Sequence, residues 1–300
     1  MGVQNSRLLF SCRALNRAIT GTRSGLFYLE HKPAAPLNRF VRTLWYSQAP
    51  QIAHGHERIL PNGCVHLILN LKRDYLHDCP EGRRDKRVAP ALVVGSRAVY
   101  EIVSRTDMAD LMGVLFEPGG FAAFAHDAVD RFSNLSTDLE DLCGMEARTL
   151  RDRLREAPNA PVRFRLLEAF LCERMTRRLE EPASARENAV RYALRRFEHA
   201  PSMTTVRDVA RSTGWSERRF SQVFREAVGH SPKVWCRIQR FQRAVQRLHT
   251  GVDVRWAELA LDCGFYDQSH FANEFRAFSG VDATTYSALK TQWANHIRVE

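Results

Sequence analysis

Ala210-Arg211-Ser212-Thr213-Gly214 and Ala260-Leu261-Asp262-Cys263-Gly264 open two copies of one pattern, which decides the fold of the last third of the chain. In the first copy the pattern continues with aromatic residues and a glycine at Phe220, Phe224, Gly229 and Trp235. In the second copy the equivalent residues are Phe271, Phe275, Gly280 and Tyr286. The offset is 50 residues up to the first glycine (214 to 264) and 51 after it (220 to 271), so one residue has been added in the turn. A repeat of this period predicts one supersecondary unit used twice.

Length, composition and charge limit the class of protein. The chain has 300 residues, of which 44% are hydrophobic, so it can form about two domains of the usual size. No segment approaches the ~18–20 consecutive apolar residues of a membrane span, and we expect no membrane partner. A formal charge of +10 and a pI near 9.6 favour a polyanionic partner.

The cysteines argue against a disulfide framework and against a zinc finger. Their number is odd, and no Cys-x-x-Cys pair occurs among Cys12, Cys64, Cys79, Cys143, Cys172, Cys236 and Cys263. We therefore predict reduced thiols and a cytoplasmic protein. The polar first stretch, residues 1–37, is interpreted as a flexible arm.

The first repeat has the spacing of a helix-turn-helix unit. An apolar stripe for a short first helix is formed by Val206, Val209 and Ala210. Thr204 or Thr205 can cap that helix, Gly214 can adopt positive φ in the turn, and Ser216 can cap the second helix. The second helix buries Phe220, Val223 and Phe224 and turns outward Glu217, Arg218, Ser221, Gln222 and Arg225. Such polar side chains can hydrogen-bond base edges and phosphates, although an ordinary solvated helix face has the same composition.

A longer helix is predicted from Pro232, which suits the first helical turn, up to Gly251. Its apolar stripe consists of Val234, Ile238, Phe241, Val245 and Leu248. We predict that Arg240, Arg243 and Arg247 form its solvated face and that Arg237 can reach a phosphate. The helix is interpreted as a rigid spacer between the two units.

The second unit repeats the construction with a different charge. Its first helix is lined by Trp256, Leu259 and Ala260, its turn is at Gly264, and its second helix buries Phe271, Phe275 and Phe278. Residues 204–249 contain ten Lys/Arg and three Asp/Glu, a net charge of +7, whereas residues 250–290 contain three and six, a net charge of −3. We predict that the first unit supplies most of the affinity for DNA, because each neutralised phosphate releases counterions.

Residues 188–290 resemble the DNA-binding domain of the AraC/XylS family of bacterial transcription regulators. Gly264-Phe265-Tyr266-Asp267-Gln268-Ser269-His270-Phe271, continued to Phe275 and Gly280, is similar to the family signature. Gly229-His230-Ser231-Pro232 is similar to the family's loop before the spacer helix, whereas Ala283 stands where the family usually has proline. The similarity covers about a third of the chain.

The resemblance implies which residues read bases. They are Arg218, Ser221 and Gln222 in the first unit and Gln268, Ser269 and Asn273 in the second. To the first set we add Ser216, Arg219 and Arg225 as DNA contacts. The positions that support the fold are Ala210, Gly214, Phe220, Phe224, Ala260, Gly264, Phe271 and Phe275.

The sequence pattern of the N-terminal half predicts short strands with turns between them, as expected for a sensor or dimerisation domain. Short apolar segments with turn residues between them predict strands over residues 65–71, 91–94, 99–103 and 111–116, while Pro118-Gly119-Gly120 predicts a turn. We expect a β-rich, barrel-like domain over residues 38–132, a helical extension over 133–181 and a polar linker over 182–187. The fold class is therefore α+β, with an all-α C-terminal domain over residues 188–290.

Two groups in this half have alternative interpretations. His54, His56, Glu57 and His66 can be metal ligands or can line a surface loop, and we favour the loop and predict no metal and no cofactor. Trp45 and Tyr46 can line a ligand pocket or belong to the core.

These patterns predict a sequence-specific transcription regulator that binds double-stranded DNA and has no catalytic residues. The family resemblance implies an activator that contacts RNA polymerase. The N-terminal domain either binds a small-molecule effector or only forms a homodimer. A further alternative is a DNA-binding alkyl-acceptor protein that uses a reactive cysteine such as Cys64, but the four-cysteine zinc cluster of such proteins is absent from the sequence.

Overall fold

The computed structural model describes residues 18–20, 27–49, 55–79, 81, 84–179, 184–199, 204–251 and 255–299. The strands are β1 (Ala18–Thr20), β2 (Phe27–His31), β3 (Val41–Gln48), β4 (His56–Ile59), β5 (His66–Asn70), β6 (Leu76–Asp78), β7 (Lys86–Val88), β8 (Ala91–Val94), β9 (Glu101–Ser104), β10 (Asp110–Phe116), β11 (Ser136–Asp138) and β12 (His296–Val299). The helices are α1 (Leu139–Cys143), α2 (Met145–Glu156), α3 (Ala160–Leu179), α4 (Ala185–His199), α5 (Val206–Ser212), α6 (Glu217–Val228), α7 (Pro232–His249), α8 (Trp256–Asp262), α9 (Gln268–Ser279) and α10 (Ala283–Leu289). The predicted α+β class, with a strand-rich N-terminal half and a helical C-terminal half, is confirmed.

The N-terminal half is built on a seven-stranded antiparallel sheet in the order β1-β2-β3-β10-β5-β8-β11. Alternating side chains from its central strands point to one face, where Leu44 of β3 faces Val114 of β10 and Val114 faces Leu67 of β5. Helices α2 and α3 cover this face with Leu154 and Leu167, both fully buried. A second sheet, β12-β4-β9, and the β6–β7 hairpin complete the half.

Three predicted boundaries are wrong. The predicted arm over residues 1–37 is wrong for Ala18–Thr20 and from Phe27 onward, because β1 pairs with β2, β2 pairs with β3 and the Phe27 ring packs on Tyr46. The predicted helical extension from residue 133 is wrong up to Asp138, because β11 pairs with β8. The predicted linker over residues 182–187 is wrong from Ala185, where α4 begins. Residues 1–17 and 182–183 lie outside the described part of the chain.

The helix bounds of the C-terminal half reproduce the offsets of the sequence repeat. Helices α5 and α8 start 50 residues apart, and α6 and α9 start 51 residues apart. The first unit closes on α4 and α7 through a buried group that includes Phe197, Phe224 and Trp235. The second unit closes on α7 and α10 through another that includes Phe241, Phe275 and Tyr286.

The segment after α10 returns to the N-terminal half, which the sequence patterns did not predict. Strand β12 pairs with β4, so that Ile297 faces Arg58, and the Ile297 side chain is fully buried in the core of the second unit together with Leu60. The Trp293 ring lies 4.7 Å from the Tyr28 ring. The two halves are therefore packed through shared core residues. In the described part of the chain, no helix has the length and apolar character needed to cross a membrane.

Candidate DNA-contacting surface

The first helix-turn-helix unit has the local contacts that its sequence predicts. The Asp208 backbone N–H donates to Thr205 Oγ1 at 3.1 Å, so Thr205 caps α5, and Ser216 caps α6 in the same way through the Arg219 N–H. Ala210 is 2% exposed, and its carbonyl accepts the Trp215 N–H across the turn at 3.2 Å. Gly214 has a φ of +74°, a conformation that disfavours any residue with a Cβ.

The buried stripe of α6 fixes which side chains face solvent. Phe220 and Phe224 are fully buried, and Val223 is nearly so. The opposite face exposes Ser216, Arg218, Arg219, Gln222 and Arg225, and leaves Ser221 partly exposed. The Arg219 guanidinium lies over the Trp215 ring, 5.5 Å from its centroid. The N-terminal half of α6 therefore presents hydrogen-bonding side chains to solvent.

The second unit has the same backbone frame. The Phe265 N–H donates to the Ala260 carbonyl at 2.9 Å, as the Trp215 N–H does to Ala210, and Gly264 has a φ of +85°. Asp267 caps α9 by accepting the His270 N–H at 2.7 Å. Phe271 and Phe275 lie on the buried face of α9. This burial leaves Gln268, Ser269 and Asn273 exposed.

The spacer helix α7 is more enclosed than predicted. Ser231 caps it and Pro232 occupies its first turn, as expected, and Ile238, Phe241 and Val245 are fully buried. The predicted solvated face is wrong for Arg240 and Arg243, which are only partly exposed because α7 packs among both units and the N-terminal half. The loop between β4 and β5 of the N-terminal half contacts α7 through its backbone. Gln242 donates to the Pro61 carbonyl at 2.7 Å, and Gln239 donates to the Asn62 carbonyl at 3.5 Å.

Two arginines of α7 are neutralised by the second unit. Arg237 donates from Nε and Nη2 to the two oxygens of Glu274, at 2.8 and 2.6 Å, and these hydrogen bonds hold the pKa of the Glu274 carboxyl below its ordinary value. Arg247 pairs with Asp262 at 3.1 Å. The sequence suggested Arg237 as a phosphate contact. In the structure its ion pair with Glu274 instead links the spacer helix α7 to α9.

The N-terminal half holds the C-terminal end of α6. The Arg225 Nε atom lies 3.0 Å from Asp130 Oδ2, and the Ser133 hydroxyl donates to the Gly229 carbonyl at 2.5 Å. Gly229 ends α6 with a φ of +99°, and a Cβ there would come within 2.9 Å of the Ser133 hydroxyl. The next residue, His230, is 7% exposed, and burial lowers the pKa of its imidazole. Arg225, which the sequence predicted as a DNA contact, is therefore paired with the N-terminal half in this structure.

The equivalent end of α9 is also contacted by the N-terminal half. Gly280 ends the helix with a φ of +72°, and a Cβ there would overlap the ring of Tyr100 from the segment between β8 and β9. Ser96 of the same segment packs against Gly229. One segment of the N-terminal half, residues 96–100, thus contacts the C-terminal cap of both solvent-facing helices. Sequence reasoning missed these contacts, since no local pattern marks them.

Of the four histidine and glutamate residues considered as metal ligands, the three that the structure describes do not lie together. His54 lies outside the described residues. His56 contacts Asp85, whereas Glu57 accepts from His296 Nδ1 at 2.9 Å. His66 packs beside Asn62, and burial lowers the pKa of its imidazole to about 4.

Trp45, Tyr46 and Cys64 have structural surroundings. Tyr46 is 4% exposed and belongs to the core. The Trp45 ring lies flat over Gly113 of the neighbouring strand, where a Cβ would overlap it. Cys64 is 4% exposed, which disfavours the alkyl-acceptor alternative, because a reactive thiol needs access to its substrate.

Two families match the chain. The family described as "Helix-turn-helix domain" matches residues 209–288, from α5 into α10. The family described as "Domain of unknown function (DUF6597)" matches residues 29–138, from β2 to β11. A relative, the HTH-type transcriptional activator AarP of Providencia stuartii, is 27% identical over 93 residues, which are 31% of this chain and 68% of AarP. The helix-turn-helix match thus includes both solvent-facing helices.

Solved structures of ToxT from Vibrio cholerae resemble the chain distantly. The P21 form has a TM-score of 0.38 at 11% identity, over 80% of this chain and 91% of that chain. ToxT of strain O395 bound to (E)-4-(8-methylnaphthalen-1-yl)but-3-enoic acid has a TM-score of 0.43 at 9% identity, over 79% of this chain and 98% of that chain.

Proposed function

We infer that this chain, whose C-terminal part is a helix-turn-helix domain of the AraC type, is a regulator of transcription that reads a specific sequence of double-stranded DNA. One observation carries the proposal. Two units with the same turn hydrogen bond, the same positive-φ glycine and the same buried phenylalanines each expose the polar N-terminal half of their second helix. In helix-turn-helix proteins, that half of the helix contacts base edges in the major groove.

The exposed side chains suit different tasks. In α6, Arg218 can pair with O6 and N7 of guanine, and Gln222 with N6 and N7 of adenine, each contributing about 1–3 kcal/mol of discrimination. Ser216 and Arg219 stand at the start of the same helix, where phosphate contacts set the register of the protein on the duplex. In α9, the exposed side chains of Gln268, Ser269 and Asn273 carry no charge. We therefore expect them to contribute to DNA binding through hydrogen bonds with bases rather than through attraction to phosphates.

The two units are expected to contact adjacent turns of one DNA face, with α7 setting their separation. The buried stripe of α7 and the Arg237–Glu274 pair hold the second unit on the spacer. Two different solvent-facing helices on one chain would read an asymmetric site of two half-sites about 10 base pairs apart.

We propose that the chain activates transcription, rather than repressing it, by contacting RNA polymerase. AarP, which is similar to this chain over 93 residues, is named a transcriptional activator. A reporter with the selected operator placed upstream of a weak promoter tests this sign. Increased transcription on expression of the chain is expected, and decreased transcription would identify a repressor.

A small-molecule effector is proposed to act through the N-terminal half. A cavity of about 610 Å³ there is lined by Phe27, Gln48, Ala49, Leu71, Lys72, Ala109 and Asp110, and this volume suits a small organic ligand. Ala109→Trp would place a large ring in part of the cavity and obstruct a ligand, and the variant should keep its DNA affinity while the reporter loses its response to growth conditions. An unchanged response, together with a dimer by sedimentation, would favour the alternative in which this half only dimerises.

The experiment for the DNA-reading function is selection of random duplexes by the full chain at ~150 mM salt, where surface charges are screened as in cells. We expect one motif with two half-sites, and Asn273→Ala should degrade only one of them. Arg165→Ala removes an exposed cation from α3, outside both units, and is the matched control that should leave the motif intact. Recovery of no motif, with binding that fades smoothly as salt rises, would contradict sequence-specific reading.

A further inference from the structure

A cluster of metal-binding side chain types lies away from both helix-turn-helix units, at the end of the β6–β7 hairpin. Cys79 directly follows β6 and Asp85 directly precedes β7. Because Asp78 faces Lys86 in the hairpin register, Cys79 and Asp85 are the next opposed positions. Opposed residues of an antiparallel pair have Cβ atoms roughly 4.5–5.5 Å apart, so the register brings the thiol and the carboxylate together.

His56, the first residue of β4, completes the cluster from another sheet. Its Nε2 atom lies 2.9 Å from Oδ2 and 3.2 Å from Oδ1 of Asp85. The imidazole nitrogen, the Cys79 sulfur and an Asp85 oxygen all lie within 4.8 Å of one another. Among the residues that the structure describes, no other three His, Cys, Asp or Glu side chains come this close.

We propose that His56, Cys79 and Asp85 bind a thiophilic divalent cation, and that Zn²⁺ fits the donor set best. One sulfur, one imidazole nitrogen and one carboxylate oxygen are all ligand types of zinc, and a water molecule would complete a tetrahedron. At bond lengths of 2.0–2.3 Å, tetrahedral ligand atoms are roughly 3.2–3.8 Å apart. The observed separations are no more than 4.8 Å, so the three side chains would have to move only a short way to meet around an ion.

The charges of the cluster match a divalent ion. On binding, the Cys79 S–H bond breaks, its proton leaves to solvent, and the thiolate electron pair forms the metal–sulfur bond. Neutral His56 donates a ring lone pair and Asp85 donates a carboxylate oxygen, so two negative ligands balance the two positive charges of the ion.

Access and position also suit an ion site. The His56 and Asp85 side chains are 38% and 32% exposed, whereas Cys79 is 5% exposed, so an ion can enter from solvent toward a shielded sulfur. A bound ion would join the hairpin to β4. Strand β4 pairs with β12, where His56 faces Val299 in the segment that returns from the C-terminal half. Metal binding would therefore stabilise the part of the N-terminal half that receives this segment.

Cobalt(II), a spectroscopic substitute for zinc, provides the test. The metal-stripped full chain, kept reduced with a phosphine, is titrated with Co²⁺ and then with Zn²⁺. We expect one Co²⁺ per chain with thiolate-to-cobalt charge-transfer absorption, and displacement of Co²⁺ by Zn²⁺. Cys79→Ser should abolish this absorption, and Asp85→Asn should weaken Co²⁺ binding by at least about tenfold, comparable to the loss of one supporting group in known sites.

Cys236→Ser is the matched control, because Cys236 is a partly buried thiol on α7, outside the cluster. This variant should bind Co²⁺ as the wild type does. Absence of charge-transfer absorption in the wild type, or its persistence in Cys79→Ser, would overturn the proposal. If Cys79→Ser does not fold, Asp85→Asn decides, since an unchanged Co²⁺ affinity in that variant would also overturn it.

Discussion

The ion pair between Arg225 of α6 and Asp130 of the N-terminal half allows a quantitative test of how the two halves interact. Its atoms are 3.0 Å apart, and the Arg225 and Asp130 side chains are 56% and 23% exposed. A pair this accessible to water stabilises its partners by about 0.2–1 kcal/mol. If Arg225 must leave Asp130 to contact a phosphate, DNA binding is weakened by that amount.

Asp130→Asn removes this cost. We expect the substitution to tighten DNA binding by a factor of about 1.4–5, which corresponds to about 0.2–1 kcal/mol, with little change in salt dependence. Arg225→Ala should weaken binding to all sequences and flatten the slope of log K against log salt by about 0.9, the value for one phosphate contact. Fluorescence anisotropy with the selected operator at several salt concentrations measures both quantities.

The double variant Asp130→Asn/Arg225→Ala separates this ion pair from a general effect of charge. Without Arg225, Asp130→Asn should have no effect on affinity, because the partner of the pair is missing. Asp127→Asn is the matched control, since Asp127 lies nearby but pairs with Arg131 at 2.8 Å. Equal tightening by Asp130→Asn with and without Arg225, or by Asp127→Asn, would refute the reasoning.

Three further outcomes are expected. Arg218→Ala should relax base preference at one operator position by about 1–3 kcal/mol, and a loss spread evenly over all sequences would contradict a base-reading role. Phe275→Ala removes a fully buried ring under α9 and should lower the free energy of unfolding in urea by about 3–5 kcal/mol, whereas a loss below about 1 kcal/mol would contradict its core position. His66 takes up a proton near pH 6.5 when unfolded but only near 4 when folded, so stability should fall as pH decreases through that window. By pH 5 the loss should reach about 2 kcal/mol relative to His66→Gln, and identical pH profiles of the two proteins would contradict the lowered pKa.

The helix-turn-helix units were predictable because their signals are local. The spacing of Val209 and Ala210, the cap at Thr205 and the proline at 232 each act within one or two helical turns. The bounds of α5, α6 and α7 therefore follow from the sequence nearly to the residue. Strand β3 was missed although Val41–Gln48 contains β-branched and aromatic residues, a signal that the sequence does carry.

Contacts between distant segments had no comparable signal. Asp130 and Arg225 are 95 residues apart, and neither residue is unusual in its own segment. The sequence drew attention to His54, His56 and His66 because they are neighbours in the chain. The structure instead brings Cys79 and Asp85 to His56, because a hairpin register and the packing of two sheets determine which side chains meet. Likewise, Arg243 is partly buried because α7 is covered on several sides, which its helical periodicity alone does not reveal.

Each unit contacts the N-terminal half at the end of its second helix, through Arg225 with Asp130 and through Gly280 with Tyr100. Because the two units differ in charge, we expect the loss of these two contacts to have different effects on DNA binding. The first unit carries a net charge of +7 over residues 204–249 and the second −3 over residues 250–290. In the second unit, Glu274 also neutralises Arg237. We therefore expect electrostatic affinity for DNA to reside mainly in the first unit, and breaking the contact of Asp130 with Arg225 should change affinity for every DNA sequence. The contact of Tyr100 with Gly280 touches a unit that offers readout but little charge. Loosening it should change the tolerated spacing between half-sites rather than overall affinity, so Tyr100→Ala should broaden the spacing recovered by duplex selection, and an unchanged spacing would contradict this division of roles.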